Sequence, residues 1–431
     1  MHNFIRLYCL TIIAAAVASI AFAQNKRRSS SRLMIDDLQS QVTLLREELR
    51  NCSCRRPRQM DITLLGNNKV TCNDRSPAGY YIRKTVSSKR WIIYLEGGGY
   101  CYNTKMCDER RRDKDDGGQF MMSSNYWTSK KSTDMGILSP DIEKNPSWWN
   151  ANAVFIPYCS SDLWSGNQSH ENTSNDEYVF MGSRIIAEVV AELLEREGMR
   201  NATQILLAGS SAGGIGVMLN VDKVATQIKN AGSKAEVRGI SDSGWFVDHK
   251  CDCNANGGNV ACSPSVAVKQ GYHLWHAAVP ESCAKKHSAA PWKCFFGEIL
   301  YPHIKTDLFV SQWLFDIAQL EISNIPFPDP SSKREVKCLM KMCHKVRKSL
   351  KTVGSAFAPG CLSHNLLVSK DWNDVVIDGK SLPQVFDCWF PKLPGKKCTN
   401  HRYVDKCEWP LANGSCPPVY HPYNKNSPIM G

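Results

Sequence analysis

A serine with glycine two positions before it and two after, in Gly209-Ser210-Ser211-Ala212-Gly213, follows the apolar run Ile205-Leu206-Leu207-Ala208 and precedes a helical pattern. Strand, tight turn and helix in that order are the context of a nucleophilic serine. The turn crowds its neighbours, so glycine is wanted on both sides. It also sets the hydroxyl at a helix N-terminus, where the helix dipole favours developing negative charge. A phosphate-binding loop would carry a Lys-Ser or Lys-Thr pair here, and the turn has neither. The reading is a serine nucleophile, Ser211.

A hydroxyl nucleophile needs a base, and the base needs an orienting carboxylate. When the serine sits in such a turn, the chain order is serine, acid, histidine. Most histidines after Ser211 lie in the irregular segment 243–305 or the basic segment 332–352, whereas His364 stands in a late loop, Cys361-Leu362-Ser363-His364. Asp316 closes the apolar run Leu308–Phe315, which reads as a strand, and Asp242 closes another in Ile240-Ser241-Asp242. Spacing favours Asp316 and leaves Asp242 as the alternative. Backbone N–H donors for an oxyanion come from Ala212, next to the serine, and from the glycine loop Gly97-Gly98-Gly99. Each such donor is worth roughly 3 kcal/mol to a tetrahedral intermediate.

These groups require a sheet to carry them. Trp91–Leu95 and Ala153–Tyr158 are continuous apolar runs, read as buried strands. Further strands are expected at Gln204–Ala208, Glu236–Ile240, Leu308–Leu314 and Leu366–Val368, with helices over about 180–197 and after Gly214. Strands alternating with helices predict an α/β protein of the α/β-hydrolase type, a mostly parallel sheet flanked by helices with cap and loop insertions and multiple disulfides. The insertions are expected at about 243–305 and 325–355, within a catalytic domain spanning 60–431.

The N-terminus places this domain outside the cytosol. Arg6, the apolar stretch Leu7–Phe22 and Ala21-Phe22-Ala23 read as a signal peptide over 1–23. Residues 24–59 read as a basic disordered segment followed by a short amphipathic helix, with Leu38, Val42, Leu45 and Leu49 at coiled-coil spacing. Whether that helix docks on the body or pairs chains is open, and so is the oligomeric state. The 19 cysteines, less Cys9 in the leader, leave 18, an even number that predicts up to nine disulfides in an exported protein. Cys101 with Cys107 and Cys283 with Cys294 are expected local bridges. Cys52-x-Cys54 and Cys251-x-Cys253 lack the ligand spacing of zinc sites, and no metal or cofactor is expected. Sequons at Asn51, Asn167, Asn172, Asn201 and Asn413 fit a secreted glycoprotein. No later run is long enough to span a bilayer. A formal charge of +12 in a secreted chain fits acidic polysaccharide such as heparan sulfate or glypicans rather than nucleic acid, with an ordinary solvated surface of lysine and arginine as the alternative.

The motifs together resemble the Notum family of carboxylesterases, related to plant pectin acetylesterases. They are Leu95-Glu96-Gly97-Gly98, Trp148-Trp149-Asn150-Ala151-Asn152, Phe155–Asp162, Ala208–Gly214, Asp242-Ser243-Gly244-Trp245-Phe246, Gln312–Asp316 and Cys361–His364. The resemblance runs from about residue 60 to 418. It implies a secreted enzyme that removes the palmitoleoyl group from a serine of Wnt proteins, with a triad of Ser211, Asp316 and His364. It also implies oxyanion donors at Gly98, Gly99 and Ala212, and an acyl pocket lined by Tyr100, Phe246, Phe295, Phe296, Ala318 and Ile322. One position departs: Notum proteins carry tryptophan where this chain has Gly99. An O-acetylesterase of polysaccharide and a non-catalytic lipid- or glycan-binding relative are the competing expectations.

Overall fold

The computed structural model describes residues 59–114, 117–172, 178–249, 264–327, 330, 332–391, 400–418, 420–421 and 424–428. The chain divides into two compact units, Met1–Arg56 and Pro57–Gly431, and everything described belongs to the second. The expected signal peptide, basic segment and amphipathic helix lie outside the described residues, as do Cys52, Cys54, Asn51 and Cys251-x-Cys253.

Strands run in chain order as β1 (Gln59–Leu64), β2 (Gly79–Arg83), β3 (Arg90–Leu95), β4 (Lys130–Ser132), β5 (Asn152–Ile156), β6 (Gln204–Ser210) and β7 (Glu236–Asp242). They continue as β8 (Leu308–Ser311), β9 (Phe315–Asp316), β10 (Ala356–Ala358), β11 (Leu362–Ser363), β12 (Val376–Ile377), β13 (Lys380–Ser381) and β14 (Arg402–Val404). Among the described residues, ten of these make one sheet in the order β14-β10-β8-β7-β6-β3-β5-β2-β1-β4. From β5 through β3 and β6 to β14 every pairing is parallel. β2, β1 and β4 add an antiparallel flank that ends the sheet at β4.

The central strands are apolar on both faces because both faces are covered. Trp91, Ile93, Leu95, Ile205 and Leu207 pack into one core with helices Gly182–Glu195 and Ala212–Asn230. Their alternates Ile92, Tyr94, Leu206 and Ala208 pack into a second core with helix Leu382–Trp389. The expected helix over 180–197 and strands over 204–208 and 236–240 are found within two residues of those bounds. This is the predicted α/β-hydrolase architecture.

Two expected strands are corrected. The run Leu308–Leu314 keeps strand geometry only to Ser311. Buried Gln312 turns its side-chain oxygen to the Trp245 N–H at 2.9 Å, and Trp313 and Leu314 then enter opposite cores. Asp316 therefore ends β9 rather than β8. Leu366–Val368 is a turn: the N–H groups of Leu366 and Leu367 bond the Asp242 carboxylate at 3.0 and 2.9 Å, so they cannot join a ladder. The basic segment 332–352 forms helix Lys333–Ser349, started by a capping box of Ser332 and Glu335.

Both expected local disulfides are present, Cys101–Cys107 and Cys283–Cys294. Cys72–Cys159, Cys343–Cys407 and Cys361–Cys416 are further bridges, and Cys338 and Cys388 are also disulfide-bonded. No helix among the described residues is long and apolar enough to cross a membrane.

Candidate active site

Ser211 stands between β6 and helix Ala212–Asn230 with φ +57° and ψ −122°, a left-handed conformation that a serine adopts only under constraint. Its N–H is held by the Asp242 carbonyl at 2.8 Å. The constraint explains the flanking glycines. A Cβ on Gly209 would overlap the carbonyl oxygen of Gly213, and one on Gly213 would overlap that of Leu95.

The imidazole and its carboxylate are brought together by a two-residue parallel pairing, β9 with β11, in which Ser363 stands opposite Asp316. The next residue, His364, places Nδ1 at 3.0 Å from both carboxylate oxygens of Asp316. Asp316 is fully buried, and its oxygens also accept from the Gln319 N–H and the Gln312 side-chain amide, each at 3.1 Å. Engaging Nδ1 leaves Nε2 as the ring's free acceptor. Burial pushes the His364 pKa down, but the Asp316 carboxylate, with Asp242 and Glu321 behind it, outweighs burial and holds the imidazole above its ordinary value.

Asp242, the alternative acid, is occupied elsewhere. Besides Leu366 and Leu367 it accepts from the hydroxyls of Ser210 at 2.7 Å and Ser311 at 2.9 Å. It thus ties the loop after His364 to the end of β6. The disulfide Cys361–Cys416 anchors the same loop from its other end.

The glycine loop lies against Ser211. Gly98 has φ +143° and Gly99 φ +66°, both glycine conformations. Arg110, on helix Thr104–Arg112, donates from its guanidinium to the Gly98 carbonyl and, at 2.9 Å, to the Ser161 hydroxyl. A trans peptide points its C=O and the following N–H in opposite directions. Anchoring the Gly98 carbonyl therefore turns the Gly99 N–H the other way. The Cys101–Cys107 bridge fastens this helix to the loop.

A cavity of about 740 Å³ opens over Ser211, and Gly98, Gly99, Ala212 and His364 line it. So do all six residues expected in an acyl pocket: Tyr100, Phe246, Phe295, Phe296, Ala318 and Ile322. Sequence reasoning missed Ile215 and Val268 in the same apolar wall, and the charged Glu96, Lys131 and Glu321. It also missed Arg110, which stands in the run Glu109-Arg110-Arg111-Arg112 with nothing local to set it apart. Among the described residues Cys283, His287 and His303 cluster at metal-ligating distance, but Cys283 is committed to Cys294 and offers no thiolate.

A serine in a strained turn, an imidazole oriented by a buried carboxylate, and fixed N–H groups beside an apolar cavity can attack an ester carbonyl whose acyl part is greasy. Comparison with known proteins agrees. Residues 53–417 match the protein family described as Pectinacetylesterase. The human "Palmitoleoyl-protein carboxylesterase NOTUM" is 44% identical over 402 residues, 89% of this chain and 79% of that protein. Its counterpart from Danio rerio, notum1a, is 43% identical over 398 residues, 89% and 78% of the two chains. That from Mus musculus is 42% identical over 402 residues, 89% and 78%.

Proposed function

Since the chain belongs to the pectinacetylesterase family, in its Notum branch of palmitoleoyl-protein carboxylesterases, we propose that it is a secreted serine carboxylesterase acting on the O-palmitoleoyl serine of Wnt proteins and so silencing them. Ser211 is the nucleophile, His364 the base and Asp316 its orienting partner. The Ser211 hydroxyl attacks the acyl carbonyl as its proton passes to His364 Nε2. The tetrahedral oxyanion is received by the N–H groups of Gly98, Gly99 and Ala212. His364 then gives the proton to the leaving serine oxygen, which releases the polypeptide. Water, deprotonated by the same imidazole, cleaves the acyl-enzyme.

The observation that carries this reading is the apolar cavity directly over Ser211, walled by Tyr100, Phe246, Phe295 and Phe296. Each methylene of a fatty chain buried there contributes about 0.8 kcal/mol. An acetyl group would leave most of the cavity unfilled, which disfavours the acetylesterase alternative. The test is hydrolysis of a palmitoleoyl-serine peptide against its acetyl counterpart, with Ser211→Ala as control. Release of acetate alone, or equal release by Ser211→Ala, would overturn the assignment.

Secretion is part of this proposal: it rests on the expected 1–23 leader and is supported by the disulfides. The basic helix Lys333–Ser349 supports the expected contact with heparan sulfate or glypicans. Elution of the protein from immobilised heparin no later than a neutral protein of its size would remove that contact.

A further inference from the structure

An ester has two arms diverging from its carbonyl carbon, and the residues that line the cavity at Ser211 divide into two sets, one from each core of the sheet, taken as its two limbs. One is the apolar limb already described, whose walls Ile215, Val268, Phe295 and Phe296 belong to the core on one face of the sheet. The other is lined by residues from the opposite face of the sheet. Tyr94, Leu138 and Phe155 of the second core floor it, and Lys131 to Met135 of the edge strand β4 and its continuation wall it.

We propose that this second limb holds the polypeptide bearing the acylated serine, with Lys131 as its main charged contact; the inference rests on the esterase reading above. His364 must deliver its proton to the leaving oxygen, so the alcohol arm lies on the imidazole's side. Asn365 and Val368, from the same loop as His364, line the cavity, and Val368 packs against the second core that floors this limb. The Asn365 side-chain oxygen takes no hydrogen bond from the protein. A serine ester brings its peptide backbone within two bonds of the ester oxygen, so the chain cannot avoid this wall.

The chemistry of the limb suits a peptide better than a sugar. The Phe155 ring of its floor is already engaged, because Tyr94 stacks on it at 5.5 Å and Lys131 Nζ lies 4.2 Å above it. What it does offer are charges and hydroxyls. Lys131 pairs loosely with Glu96 at 3.8 Å while its side chain stays about one-third exposed, and Ser132 beside it is exposed. A loose, part-exposed cation on an apolar floor is available to a carbonyl or carboxylate of an incoming chain.

The experiment uses the full-length protein and esters of one octanoyl chain on three alcohols: methylumbelliferone, the serine of a short peptide, and glucose. The readout is the kcat/KM ratio of peptide ester to umbelliferyl ester. Lys131→Met keeps an unbranched side chain of similar length and removes the charge; the ratio is expected to fall about tenfold, and Lys131→Arg to restore most of it. An unchanged ratio, or a fall confined to the glucose ester, overturns the proposal. If wild-type protein hydrolyses none of the three esters, the esterase reading itself fails; if it hydrolyses them and the ratio stays put, only this inference does.

Discussion

The guanidinium of Arg110 holds the carbonyl of Gly98, and through that one peptide plane it fixes the direction of the Gly99 N–H. Burial makes the arginine's charge costly and pushes its pKa below the usual arginine value, so its place beside the loop is one the fold maintains against a penalty. Removing a single oxyanion donor costs about a hundred- to a thousandfold in kcat, and misaiming one costs less. Arg110→Ala is expected to lower kcat for octanoyl ester by roughly tenfold to a hundredfold with little change in KM. Arg110→Lys should recover part of it. Steady-state kinetics check this, and a fall in KM-dependent terms alone would contradict it.

The two glycines of that loop should not behave alike. A Cβ at Gly98 would sit 2.5 Å from Met121 Sδ and 3.2 Å from the Tyr158 ring, whereas at Gly99 the nearest atom is Arg110 NH1 at 3.7 Å. Gly98→Ala is expected to abolish turnover. Gly99→Ala costs only the backbone strain of a positive φ, about 1 kcal/mol, and should keep measurable activity. Parallel assays with thermal melts separate the two.

His364 works as a base only when neutral. Because Asp316, Asp242 and Glu321 together hold its pKa above the usual imidazole value, the acid limb of the kcat/KM profile should fall above about pH 6.5. Glu321 lines the cavity, and burial raises its own pKa. Removing this carboxylate takes away stabilisation of the imidazolium, so Glu321→Gln should move the acid limb to lower pH. A limb that moves upward or not at all would refute the coupling.

Asp242 gives a stability signature that Ser211 does not. Its carboxylate accepts four hydrogen bonds in a fully buried site, and Asp242→Asn would turn an amide toward some of those donors. The expected cost is about 1–3 kcal/mol, seen as a lower denaturation midpoint, together with loss of activity as the His364 loop drifts. Ser211→Ala should lose activity without that drop.

Chain-length preference tests the apolar limb. Ile322 lines it from the short helix Ile317–Ile322 and is only partly buried, so a larger side chain can enter the cavity without repacking the core. Ile322→Trp is expected to cut octanoyl ester turnover at least about tenfold relative to acetyl ester, since several methylenes at about 0.8 kcal/mol each lose their place. Equal losses on both esters would argue against an acyl limb at this wall.

The sequence alone determined those features whose physics is local. The nucleophile turn is spelled out by glycine spacing between a strand and a helix, because only glycine tolerates the crowding there. The parallel sheet follows from apolar runs long enough to be buried on both faces. The nearby disulfides Cys101–Cys107 and Cys283–Cys294 are legible because short loops leave them few other partners. What the tertiary structure decided was which distant groups meet. Asp242 and Asp316 both end apolar runs and look alike in sequence. Only the pairing of β9 with β11 brings Asp316 to His364, while the turn after His364 claims Asp242. Arg110 and Lys131 were invisible for the same reason. Their roles come from a carbonyl and a cavity wall contributed by other segments, and no local periodicity encodes a contact made across the fold.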